Sequence, residues 1–276
     1  GATSGRAERI TMQNSRRGAV DPFIVMDVME AARQAEADGR HIIHMEVGQP
    51  GTPAPAVARD ALAAAMRDDP LGYTVALGLP ALRARIARLY GDWYDVDLDP
   101  ARVVVTPGSS GGFILAFTAL FEAGQRVALG RPGYPSYRQI LRALDLQPVE
   151  IPARAEARLQ LTPQDLDGVV YDGLMVASPA NPTGTMLDRA ALSGLIDHAA
   201  GQGAAFLSDE IYHGLEYDRP AVSALQIADD VCVINSFSKY FSMTGWRVGW
   251  LVLPPDNLRQ VERLAQNLFI CPPHAS

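Results

Sequence analysis

Lysine is almost missing from this sequence. Of its 24 basic side chains, 23 are arginine and a single one, Lys239, is lysine. Arginine replaces lysine freely on a solvated surface, but a guanidinium stays protonated, whereas an ε-amine can lose its proton and attack a carbonyl. Composition alone reads as a bias toward arginine, yet any side-chain amine chemistry has to run through Lys239. Cysteine is scarce as well: Cys232 and Cys271 form no Cys-x-x-Cys pair and are too few for a disulfide framework, which fits a reducing cytoplasm. Positive charge is in deficit, with a net charge of −7, and this argues against nucleic acid as a partner, because phosphate contacts need clustered Lys and Arg. Long apolar runs are absent too. The longest uncharged stretch, Val103 to Phe121, is broken by Pro107-Gly108-Ser109-Ser110-Gly111-Gly112 and reads as strand, turn and helix instead of a membrane span. The first residues show no apolar segment of the kind a secretion signal needs.

What is present is a repeating α/β pattern. The 276 residues are 48% hydrophobic, enough for one large core or two modest ones. Asp21-Pro22 reads as an N-cap and first helical residue, followed at helical spacing by Ile24, Val25, Val28, Met29 and Ala32 up to Gly39. His41 to Val47 reads as a short strand, on which His41 and His44 would face opposite ways and make poor joint metal ligands, so no metal site is expected. Helices follow at about 55–68 and 80–93. Strands are predicted at Val103–Thr106, Val127–Leu129, Pro148–Ile151, Leu174–Ala177, Ala205–Ser208 and Val231–Asn235, with amphipathic stretches at Phe113–Glu122, Ser136–Leu144 and Arg189–Ala200 between them. Such alternation indicates a three-layer α/β fold with a mainly parallel sheet covered by helices on both faces. About ten residues separate the strand near Ser236 from the apolar run Val248–Leu253, too few for a parallel crossover, so that strand should run antiparallel. A last helix is expected at Asn257–Leu268.

Ligands of open α/β sheets bind outside the carboxyl ends of the strands, and five such ends carry polar groups here. The glycine-rich turn at Gly108, Ser109 and Ser110 opens a helix and offers backbone N–H groups to an anion. Tyr134 puts an aromatic ring at the rim, and two prolines stiffen a loop around Asn181. One strand runs into Asp209 and Tyr212, another into Ser236, Ser238 and Lys239, with Arg247 eight residues further on. His213 beside Tyr212 has two readings, lining the site or, the more usual one, a packed or surface histidine. Together these groups answer the needs of pyridoxal 5′-phosphate: an anion cradle with an arginine, a stacking face, a carboxylate for the ring nitrogen, donors for the ring oxygen and an amine for a Schiff base.

From about Pro22 onward the sequence resembles the class I/II aminotransferases, pyridoxal-phosphate enzymes of fold type I. The likeness rests on Gly48-Gln49-Pro50, Tyr73-Thr74, Gly78-Leu79-Pro80, Thr106 to Ser110, Pro132 to Pro135, Asn181-Pro182-Thr183-Gly184, Asp209-Glu210-Ile211-Tyr212 and Ser236 through Gly249. It implies a seven-stranded sheet, with Lys239 carrying the Schiff base and then moving the α-proton. It further implies that Asp209 pairs with the pyridine nitrogen, that Asn181 and Tyr212 bond the ring oxygen, and that Tyr134 stacks on the ring. Gly108, Ser109, Ser110, Ser236 and Arg247 would hold the phosphate. Gly48 and Asn181 would lie near the substrate, an α-amino acid exchanging its amino group with a 2-oxo acid. Tyr73 would serve the neighbouring subunit of a homodimer.

The resemblance also implies a division into domains. Residues 1–45 would be an arm and helix of a small domain, 46–270 the large cofactor-binding domain, and 271–276 the start of a C-terminal small domain that in family members carries the arginine for the substrate carboxylate. Either the chain is truncated ahead of that part, which is the expectation, or the protein lacks the usual carboxylate clamp. Two alternatives stay open: a pyridoxal-phosphate β-lyase or related enzyme, and a non-catalytic effector-binding module. The cystathionine-cleaving type of lyase usually shows His where Tyr212 stands, and residues 1–21 are short for the winged helix of a regulator.

Overall fold

A computed structural model describes residues 11–276. The first ten residues of the expected N-terminal arm lie outside the described residues. Seven strands form one sheet: β1 (Val103–Thr106), β2 (Arg126–Arg131), β3 (Gln147–Pro152), β4 (Gly173–Ala177), β5 (Ala205–Asp209), β6 (Cys232–Ser236) and β7 (Gly249–Val252). Their order is β1-β7-β6-β5-β4-β2-β3. All pairings are parallel except those of β7, which runs antiparallel to both β1 and β6. The short connection before β7 therefore has the consequence expected of it.

The helices are α1 (Ile24–Ala37), α2 (Ala56–Asp68), α3 (Pro80–Tyr94), α4 (Gly108–Leu120), α5 (Ser136–Ala143), α6 (Arg189–Gly201) and α7 (Pro255–Leu268). Successive strand residues point to opposite faces, and the core divides accordingly. Val103, Leu174, Phe206, Val233 and Trp250 pack on one side with α3 and α6, while Val104, Met175, Leu207, Ile234 and Leu251 pack on the other with α4, α5 and α7. Strands this apolar on both faces need helices on both, which explains their continuous hydrophobic runs. No helix among the described residues is long and apolar enough to cross a membrane.

Three local expectations are corrected. Residues 41–47 form no strand: none of the seven strands pairs with them, and Ile43 and Met45 are exposed. A strand needs a ladder partner for its backbone groups, and this segment ends instead as a strap, with Glu46 and Val47 on the wall of the cleft described below. Asp21 does not cap α1, which begins at Ile24 after Phe23. Its carboxylate is taken by Gln139 Nε2 at 3.0 Å and Arg142 Nη1 at 3.4 Å, leaving nothing for a helix end. Finally α4 starts at Gly108 and not near Phe113, so the glycine-rich stretch forms its first turns. Glycine there disfavours helix by propensity, but a Cβ on Gly111 would stand 2.7 Å from the Pro107 ring. Close packing overrides propensity.

Candidate active site

The carboxyl ends of β1, β2, β4, β5 and β6 lie at one edge of the sheet, and the reversed direction of β7 brings its entry residue Arg247 to the same edge. There a cleft of about 2160 Å³ opens, larger than the few hundred to a thousand Å³ of most small-ligand pockets. Its wall includes Gly48, Ser109, Ser110, Tyr134, Asn181, Asp209, Tyr212, Lys239 and Arg247.

Lys239 lies three residues beyond β6, and its Nζ donates to the Gly48 carbonyl at 2.6 Å. Burial, and then the nearby Arg247 charge, lower its pKa. A cation is disfavoured both by desolvation and by a like charge, so more of the amine is in its free-base form. Asp209 ends β5 and is buried, and that burial pushes its carboxyl up to about 6 against the opposing hydrogen bonds. Tyr137 donates to its Oδ2, and the Ile211 N–H to Oδ1 at 3.1 Å. An ionised carboxylate has about four lone-pair sites, so Asp209 keeps acceptor capacity on its cleft side.

Asn181 Nδ2 donates to the Tyr212 hydroxyl at 3.2 Å, joining the loop after β4 to the turn after β5. Burial, reinforced by the Asp209 charge, raises the Tyr212 pKa and keeps the phenol protonated. Tyr134 stands edge-on between Tyr137 and Phe23, at centroid distances of 5.2 and 5.7 Å. The first turn of α4 aims its free N–H groups into the cleft, beside the guanidinium of Arg247. That approach requires glycine at 108: its φ is +70° and a Cβ would stand 2.3 Å from Arg247 Nη2. Arg247 is held by its own bond from Nη1 to the Thr244 carbonyl at 2.9 Å.

Three sequence candidates fall outside this wall. Gly108 is buried at the start of α4, just behind Ser109 and Ser110. Ser236 is buried behind it, its Oγ 2.8 Å from Ser238 Oγ and 3.1 Å from the Val248 carbonyl, while Ser238 lines the cleft. Tyr73 is 83% exposed, away from the cleft of its own chain. Sequence reasoning missed Tyr137: a phenol on the apolar face of α5, beside buried Leu141, reads as core, and only its spacing of three from Tyr134 hinted at more. His213 is indeed packed, away from the cleft wall.

A seven-stranded sheet of this order with an amine, a carboxylate, an amide–phenol pair and a helix N-terminus at one edge describes a fold type I transferase. The comparisons with known proteins agree. The family model "Aminotransferase class I and II" matches residues 40–276. A valine–pyruvate aminotransferase of Mycobacterium tuberculosis is 46% identical over 93% of this chain and 67% of its own length. A (5-formylfuran-3-yl)methyl phosphate transaminase of Methanocaldococcus jannaschii is 32% identical over 93% of this chain and 68% of its own. Among solved structures, an aminotransferase from Mycobacterium tuberculosis superposes with a TM-score of 0.92 at 45% identity, covering 96% of this chain and 70% of that one. A candidate aminotransferase from Silicibacter pomeroyi reaches 0.89 at 67% identity, covering 96% and 69%. The chain belongs to the class I and II aminotransferase family. It spans about two thirds of the length of these relatives.

Proposed function

We propose that this chain transfers an amino group between an α-amino acid and a 2-oxo acid with pyridoxal 5′-phosphate as cofactor, through Lys239. The observation that carries this reading is that the single lysine of the sequence projects into the cleft that also holds Asp209, the Asn181–Tyr212 pair and the α4 N-terminus with Arg247. These residues fit the cofactor by chemistry. The α4 N–H groups, Ser109, Ser110 and Arg247 suit a phosphate, with Gly108 leaving room for Arg247, and with Ser236, behind the wall, bonding Ser238 on it. The spare acceptor capacity of Asp209 suits a protonated ring nitrogen, whose charge would draw the carboxyl below its present value of about 6 and keep it ionised at neutral pH. Asn181 and Tyr212 suit the ring oxygen, and Tyr134 the ring face.

When bound, the cofactor supplies an electron sink for the pair released as the substrate α-proton leaves. The protein's part is to hold and move that proton. Lys239, its basicity lowered first by burial and then by Arg247, is the amine placed to accept that proton and return it. The strap at Gly48, with Asn181, would border the substrate. The identity to a valine–pyruvate aminotransferase and the apolar rim at Phe23 and Tyr134 favour a small apolar amino acid as donor and pyruvate as acceptor.

The same proposal includes a homodimer, with Tyr73 free to reach the neighbouring site, and a cytoplasmic location, consistent with two unpaired cysteines. It also includes the division at residues 45 and 270. Helix α1 has no buried residue, as suits a helix of the small domain. Half-reaction spectra test the reading. The cofactor-loaded protein, given valine or alanine, should pass to the amine form of the cofactor and release one equivalent of 2-oxo acid without ammonia. Ammonia with pyruvate from a β-substituted amino acid would mean a lyase, and no spectral response to any amino acid would mean a binding module; either overturns the proposal.

A further inference from the structure

His213 is buried, at 2% exposure, outside the cleft, and both of its ring nitrogens are engaged. Its Nε2 lies 2.9 Å from the Ser178 carbonyl. A carbonyl only accepts, so Nε2 carries a hydrogen. Its Nδ1 lies 2.6 Å from the hydroxyl of Tyr94, the last residue of α3, and 3.8 Å from Glu210 Oε2. Glu210 itself is occupied by Ser208, Ser223 and the Ala224 N–H. Ser178 opens the loop that carries Asn181, and His213 follows Tyr212 directly. One side chain thus staples the two loops whose ends make the 3.2 Å contact between Asn181 and Tyr212.

We infer that His213 is a positioning residue: its Nε2–H bond to Ser178 holds Asn181 and Tyr212 in register to act together on the ring oxygen of the cofactor. This rests on the cofactor reading above. A backbone carbonyl is the right anchor, because it fixes the loop three residues ahead of Asn181 without entering the cleft. Tyr94 holds the other nitrogen and stops the ring from turning, ring centroids 5.6 Å apart.

Two isosteric replacements separate the bonds. His213→Gln places an N–H where Nε2 was and keeps the bond to Ser178; His213→Asn keeps a partner for Tyr94 and loses Ser178. The readout is the pH midpoint of the visible absorbance of the cofactor-loaded protein. Donors to the ring oxygen weaken its hold on the neighbouring proton, so loosening them raises the midpoint. Losing most of one ordinary hydrogen bond corresponds to about half to one pH unit. The expected result is a raised midpoint in the Asn variant and a wild-type midpoint in the Gln variant. Equal midpoints in both, or a shift in Gln alone, overturns the inference. If either variant fails to fold, selectively ¹⁵N-labelled wild-type protein still decides: a slowly exchanging hydrogen on His213 Nε2 is expected, and an unprotonated Nε2 overturns it. Absence of any visible absorbance in the wild type would instead refute the cofactor reading and is distinguishable from all of these.

Discussion

Replacing Asp209 by Asn should make the cofactor-free protein more resistant to unfolding above neutral pH, where the buried carboxyl is ionised, while crippling cofactor retention. The carboxyl is buried and its pKa stands at about 6 in the folded state, against 3.8 for an unperturbed Asp. Since the native state binds the proton more tightly, stability is undiminished below about pH 4 and is lost as pH rises through the folded value. A difference of roughly two units corresponds to about 3 kcal/mol forfeited by pH 8, at about 1.4 kcal/mol per unit. Asn removes the ionisation and can still accept from the Ile211 N–H and donate to the Tyr137 oxygen, with about 1 kcal/mol lost at either pH because an amide reproduces the hydrogen bonds of a carboxyl group imperfectly. Urea unfolding of cofactor-free wild type and Asp209→Asn at pH 4 and pH 8 measures the balance. The variant should be about 1 kcal/mol less stable at pH 4 and about 2 kcal/mol more stable at pH 8. Parallel pH profiles would refute the reasoning, because they would mean that Asp209 is not penalised for its charge. In the loaded protein the advantage should vanish, since a ring cation compensates the carboxylate.

Tyr137→Phe withdraws the hydroxyl that lowers the Asp209 pKa, so the carboxyl should titrate higher still and cofactor affinity should fall several-fold at neutral pH, with about 1–2 kcal/mol of stability lost; equilibrium dialysis and thermal unfolding measure these. Gly108→Ala places a methyl against Arg247 Nη2 at a φ of +70°, so the phosphate cradle must open. Titration should show at least a tenfold weaker Kd, about 1.4 kcal/mol, for pyridoxal phosphate and little change for pyridoxal, which lacks the phosphate.

The parallel strands were legible because each is a short apolar run closed by turn residues, and β7 was legible from the length of its connection. Lys239 was legible for a chemical reason: in a chain that otherwise uses arginine, an amine at a strand end calls for a role that a guanidinium cannot fill. Residues 41–47 misread as a strand because alternation is local whereas ladder partners are not. The start of α4 misread because glycine signals a turn until the Pro107 ring and the Arg247 guanidinium are seen against it. Tyr137 was missed, and His213 was noticed only as a packed or surface residue, because their roles lie in partners 72 and 35 residues away, Asp209 and Ser178, that no periodicity reveals.

The scarcity of lysine makes the central claim unusually direct to test. Loading the protein with pyridoxal 5′-phosphate, reducing with borohydride and mapping the peptides by mass should place one phosphopyridoxyl group per chain on Lys239, and Lys239→Arg should take up none while losing the visible absorbance. A label confined to the N-terminal amine, or a Lys239→Arg protein with an unchanged spectrum, would contradict the account.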